Sequence, residues 1–222
     1  MGRAVLVCVL MGMAAFFYIA DSAVVLPYDL NLTLPSGVDG VLVALFQLFG
    51  YAFQAAWIAA AIAFAIWLYR VVRNMPALGA DLLMSPVWAV VCLFIPFVNL
   101  YLPFFVVHHA WQASEPEPDV DRRNVRGRFS MLVVGWWTAW LVAGPVSLFV
   151  EAALLGYFLP SSQSGLIPWY ISYPRMALFS GTVVLAVVVV LGLSRRQEAR
   201  LRRLAAEARD RGVAQAASVA GA

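Results

Sequence analysis

Between Asp39 and Arg70 the chain carries no charged side chain, and that stretch limits the fold more than any other feature. About 20 apolar residues in a helix cross the roughly 30 Å of hydrocarbon in a bilayer. A soluble domain, with about a quarter of its residues charged, has little use for so long an apolar run. Other segments are comparably apolar, and the 222 residues as a whole are 63% hydrophobic and 12% charged. The runs lack the alternation of barrel strands. The pattern predicts an all-α integral membrane protein with four full transmembrane helices and a proline-broken central segment, re-entrant or kinked. The spans fall at about 4–26, 41–69, 82–112 (broken), 129–150 and 175–193. Within the chain, 1–194 reads as the transmembrane domain, 195–211 as a cytoplasmic amphipathic basic helix and 212–222 as a disordered tail.

Arg3 followed by an apolar run, with Ala20-Asp-Ser22 as a passable cleavage site, has the outline of a signal peptide. The run continues to Leu26, longer than a signal h-region, so a retained first span is preferred. The 15 basic residues are all arginine, which excludes a P-loop or Schiff-base lysine. Their distribution sets the topology. If residues 82–112 enter and leave on one side, Arg3, Arg70, Arg73, Arg122, Arg123, Arg126, Arg128 and the C-terminal arginines share a face, and Arg175 alone lies opposite. A single crossing strands four arginines outside. The positive-inside rule therefore favours a returning segment with both termini cytoplasmic in the cell membrane. Pro96 and Pro103 disrupt a helix there, and Asn99 between them can bond freed carbonyls.

Smaller features carry expectations of their own. Gln47, Tyr51 and Gln54 form a polar stripe at i, i+4 and i+7, expected to bond a neighbouring helix. Trp136, Trp137 and Trp140 resemble interfacial anchors. Gly144-Pro145 predicts a kink, and Pro174 a first-turn proline. The valine-rich last span reads as lipid-facing. Asn31-Leu-Thr33 fits a glycosylation sequon of little weight. Residues 115–121 are an acidic linker that turns basic over 122–128, beside anionic headgroups. Past Ser194, seven arginines meet Glu198, Glu207 and Asp210 in i,i+4 pairs, which predicts that the last helix continues beyond the membrane.

Two constellations are candidate sites. Where the central segment returns, Arg70, Arg73, Asn74, Asp81, His108 and His109 are expected to gather. On the outer side, Asp21, Gln47, Tyr51, Gln54, Glu151 and Arg175 are candidates because ionisable groups in or near spans are functional-site hypotheses. His108 and His109 point about 100° apart on a helix, and Cys8 and Cys92 lie in separate apolar runs. No metal or other cofactor is expected.

The stretch Ile66-Trp67, Arg70, Asn74, Trp88-Ala89, Phe94-Ile-Pro96, Asn99-Leu100, Pro103, Trp111 and Ala113-Ser114, with Trp136-Trp137, resembles the bacterial membrane family catalogued as domain of unknown function 4328. The resemblance implies a multi-pass membrane protein of unknown activity, with Arg70, Asn74, Trp88, Pro96, Asn99, Pro103, His109 and Trp111 as its central motif. Members tend to carry basic residues just after the second proline and a carboxylate two before the last tryptophan. Here Phe104, Phe105 and His109 stand in those places, so any ionic contact made there is altered.

No H-E-x-x-H, G-x-S-x-G, P-loop or Rossmann pattern occurs. The expected function is a non-enzymatic scaffold or regulator of membrane partners. Its partners are the bilayer, anionic headgroups at the cytoplasmic face, and other proteins or further copies of itself, and not nucleic acid. The alternative is a small transporter or channel-like protein with a path near Asn99 and the outer stripe. An intramembrane enzyme using His108, His109, Asp21 or Glu151 is a third.

Overall fold

A computed structural model of the chain describes residues 2–29, 35, 37–115, 130–158 and 169–220. Every element among them is helical: α1 (Gly2–Asp29), α2 (Val38–Arg73), α3 (Pro86–Val91), α4 (Leu102–Ala113), α5 (Met131–Leu141), α6 (Ser147–Phe158) and α7 (Trp169–Ala220). Four stretches are long and apolar enough to cross a membrane: Gly2–Pro27, Val38–Arg73, Met131–Val150 and Tyr173–Ala216. The sequon, most of the charged linker (116–128) and most of the loop before α7 lie outside the described residues.

The chain forms two compact units, one of Gly2–Phe64 with Val134–Val189, the other of Ala65–Val133 with Val190–Ala222. In the first, α1 lies antiparallel to α2 and α7. Cys8 Sγ is 4.0 Å from Val187 O, and the Tyr18 ring is 5.2 Å from Phe53 and 5.1 Å from Phe179. Phe53, Trp57 and Phe179 close this aromatic cluster at 5.4–6.4 Å. Trp136 and Trp137 are buried, with Trp136 6.3 Å from Phe64 and Trp137 stacked on Trp140 at 4.7 Å. Trp136 and Trp137, expected with Trp140 as interfacial anchors, therefore pack inside, where large rings make the most contact, and Trp140 is half-buried.

Three expectations about α7 are corrected. Val183, Ala186, Val190 and Leu193 are buried, a stripe at i, i+3, i+7 and i+10 that packs against the chain instead of lipid. Valine is apolar to lipid and protein alike, so composition could not separate the two. Pro174 sits inside the helix, which starts at Trp169, and the helix continues through residues 212–220 to Ala220. Ala214, Gln215 and Ala216 are good helix formers that outweigh the roughly 1 kcal/mol cost of Gly212.

The predicted kink takes a specific form. Pro145 lies in a π turn, Val142–Val146, between α5 and α6, which absorbs the missing N–H by widening one turn. Ser147 Oγ donates to Ala143 O at 2.6 Å and Gly144 O at 3.1 Å, covering carbonyls beside the break.

In the other unit, residues 82–112 form a hairpin, and its prolines explain why. Ser85 caps α3 by accepting from Trp88 N–H at 3.3 Å, with Pro86 opening the helix, the arrangement in which proline loses nothing. Pro103 opens α4 in the same way. Between them the chain reverses at Phe97, with φ of 64° and Val98 N–H donating to Pro96 O at 2.8 Å, a strained γ-turn. Asn99 N–H donates to Ile95 O at 3.0 Å. Backbone closes this turn; among the described residues the Asn99 side chain makes none of its hydrogen bonds. His109 Nε2 then lies 2.9 Å from Asp81 O. As one helix those 28 residues would span about 42 Å, so the segment returns to its origin.

A phenylalanine at positive φ costs about 1–3 kcal/mol. Phe97→Gly is expected to hold or raise the melting temperature in detergent, and Phe97→Val, β-branched, to lower it.

Candidate functional site: a clasp at the arginine-rich helix ends

The hairpin, the end of α2 and the arginine-bearing part of α7 meet in one cluster. Trp111, in the last turn of α4, is buried with 8% of its surface exposed. The outer edge of its six-membered ring meets α7 at Gly192, where a Cβ would come 3.0 Å and 3.2 Å from ring carbons Cη2 and Cζ3. A Cβ there would have to push the ring back by a few tenths of an ångström. One turn later Arg196 places its guanidinium 4.3 Å from the centre of the same ring. Arg196 Nη1 reaches Glu115 Oε1 at 3.7 Å, and Arg200 Nη1 donates to Glu115 O at 2.9 Å. The arginines at i and i+4 thus hold the residue that follows α4.

Magnitudes say which contact dominates. Burying an indole removes 150–250 Å² from water, roughly 4–6 kcal/mol at 25 cal/mol per Å². The half-exposed Arg196–Glu115 pair contributes about 0–1 kcal/mol, and the cation–π contact about 0.5–1 kcal/mol. Ring against glycine holds the clasp; the charges orient it.

Two further bonds tie α2 to α7. Trp67 Nε1 donates to Ser194 Oγ at 3.0 Å, and Gln197 Nε2 donates to Val71 O at 3.2 Å. Gln197 is 5% exposed; it continues the Val190–Leu193 stripe and satisfies a carbonyl near the end of α2 that the helix leaves open. Ser114, fully buried, returns its hydroxyl to Ala110 O at 2.6 Å. His108, also buried, accepts from Ser130 N–H at 3.3 Å through Nε2.

Of the central motif, the clasp includes Trp111, with His109 bonded to Asp81 and Pro103 buried beneath α4. Arg70, Arg73, Asn74, Trp88 and Pro96 are exposed, and Asn99 is half-buried at the turn. Asp81 contributes its backbone carbonyl, not its carboxylate. In the outer set, Asp21 Oδ1 is buried near Gly50 and has no hydrogen-bond partner among the described residues. Gln47, Tyr51 and Gln54 are exposed and, among the described residues, bond no neighbouring helix; Arg175 is half-exposed. The Glu151 side chain lies outside the described residues. No group of three or more His, Cys, Asp or Glu that could hold a metal occurs among the described residues.

Sequence reasoning assigned no site role to Gly192, Ser194, Arg196, Gln197, Trp67 or Glu115. A signal was there: a glycine in a valine-rich helix one turn before an arginine leaves room for a large flat side chain. Which aromatic filled it was not readable.

Trp111→Ala is expected to cost about 3–5 kcal/mol, read as a fall in melting temperature. Gly192→Ala should destabilise, and Trp111→Phe should restore part of that loss in the double variant.

A family model described as Domain of unknown function (DUF4328) matches residues 38–195, well over half of the chain and the whole of the hairpin. No curated protein and no solved structure matches.

Proposed function

We propose that this chain, which belongs to the DUF4328 family, is a non-enzymatic scaffold or regulator of the cell membrane that presents its arginine-rich helix to partners. The clasp carries this reading. It holds a hairpin with exposed Phe94, Phe97 and Tyr101 to the helix whose far end is open. α7 runs 26 residues past Ser194, about 39 Å, and residues 205–216 are exposed throughout. Its arginines are partly paired along the helix, as in Arg202–Glu198 at 3.7 Å and Arg211 Nε donating to Glu207 O at 3.2 Å. Seven arginines against three acids still leave a cationic rod, suited to anionic headgroups or acidic protein surfaces.

The arginine-bearing ends of α2 and α7 join α4 in one cluster, and α1 starts toward the same end of α7. The positive-inside rule then assigns this end and both termini to the cytoplasm. The hairpin, with α4 about 18 Å long, dips about halfway through the bilayer and returns, exposing its aromatics to the lipid of one leaflet.

A path beside the hairpin is the second reading, favoured by the strained turn at Phe97 two residues before half-buried Asn99. Irregular backbone at membrane depth is tolerated where it faces protein or water.

Topology is tested with single cysteines after Cys8→Ala and Cys92→Ala, using an impermeant thiol reagent on intact cells. Gly40→Cys should label at once, and Asp81→Cys and Ala214→Cys only after the cells are opened; labelling of Asp81→Cys from outside sinks the returning hairpin. For function, Arg202, Arg203 and Arg209 changed together to glutamate should abolish cross-linking to partner proteins, whereas Asn99→Leu should leave it intact. The reverse result favours the path.

A further inference from the structure

Gln47, Tyr51 and Gln54 lie on one face of α2, which the described residues leave open: Tyr51 is 71% exposed, and both glutamines are exposed beside it. α2 packs through Phe53, which points away from the stripe and meets Tyr18, while Gly50, at the edge of the stripe next to Gln54, meets Asp21. The open face continues through Ala55 and Ile58, the latter 60% exposed.

Position along the helix makes this exposure informative. Counted from Arg70, Gln54 is 16 residues away and Tyr51 is 19, about 24 Å and 28 Å. Both fall within the roughly 30 Å of hydrocarbon, with Gln47 just beyond its far edge. A primary amide among lipid tails has lost its water partners and finds no replacement there.

We infer that this face of α2 is an interface with a second copy of the chain. A two-fold axis along the bilayer normal keeps every residue at its own depth, so Gln54 meets its counterpart and the Gln47–Tyr51 pair meets the same pair. Glutamine complements itself, donating through Nε2–H and accepting at Oε1, and Ala55 lets the two backbones approach. Lipid offers neither donor nor acceptor, and an unlike partner would have to match the same depth by other means. The dimer stands independently of the scaffold reading, since it uses neither the clasp nor the arginine rod.

The test uses the full chain with Cys8→Ala and Cys92→Ala, reconstituted in phosphatidylethanolamine–phosphatidylglycerol vesicles. Oxidation of Tyr51→Cys should give a disulfide-linked dimer. Phe16→Cys, at a residue 63% exposed on α1, should give only the collisional background. Energy transfer between labelled copies over a lipid-dilution series should show Gln54→Leu weakening association about 3- to 30-fold, the range of interhelical hydrogen bonds in membranes. Gln54→Asn should retain most of the affinity. Unchanged circular dichroism and melting temperature in Gln54→Leu separate lost association from misfolding. Equal cross-linking at positions 51 and 16, a Gln54→Leu dimer as tight as the parent, or a monomer at every dilution overturns the inference.

Discussion

The contact of Trp111 with Gly192 is the one on which the hairpin's attachment depends. A six-residue α3 and a twelve-residue α4 are each too short to be stable alone, because helix nucleation is costly and few bonds follow it. They persist because α4 buries one face, Val106, Val107, Ala110 and Trp111, and the largest part of that burial is the indole. Removing the side chain at position 192 permits this close approach. Arg196 and Arg200 add little energy but leave one orientation for Glu115 and hence for the chain leaving α4.

That attachment explains how a broken element is tolerated. Its prolines are placed where they cost least, Pro86 and Pro103 at helix starts and Pro96 in the turn, and the remaining strain is concentrated at Phe97. Backbone bonds around Ile95, Pro96 and Val98 close the reversal locally. The sequence does not use a glycine at the turn, so a large aromatic is held at the tip at the expense of backbone comfort. The same economy appears at Pro145, where one widened turn and the Ser147 hydroxyl absorb a helix break.

The family match covers α2, the hairpin, α5, α6 and the part of α7 down to Arg195. It includes both faces of the ring–glycine contact, Trp111 and Gly192, and stops one residue short of Arg196. The departure at His109 also acquires a local meaning. Its imidazole reaches the backbone carbonyl of Asp81, closing the hairpin by a hydrogen bond to a main-chain group.

Helix class, the positions of the long apolar helices, the broken central segment and the continuation of the last helix past Ser194 were legible in the sequence. They follow from local chemistry: run length, charge and proline act on the chain within a few residues. What faces what was not legible. Valines of α7 and Trp136 and Trp137 turned inward, and the Gln47–Gln54 stripe turned outward, because an apolar side chain suits lipid and protein equally and periodicity does not say which neighbour arrives. Arg70 and Asn74, prominent in the motif, are exposed, while Gly192 and Gln197, inconspicuous in it, are built into the clasp. Only the tertiary structure decided these, since close packing between helices distant in sequence depends on shape complementarity that no single stretch contains.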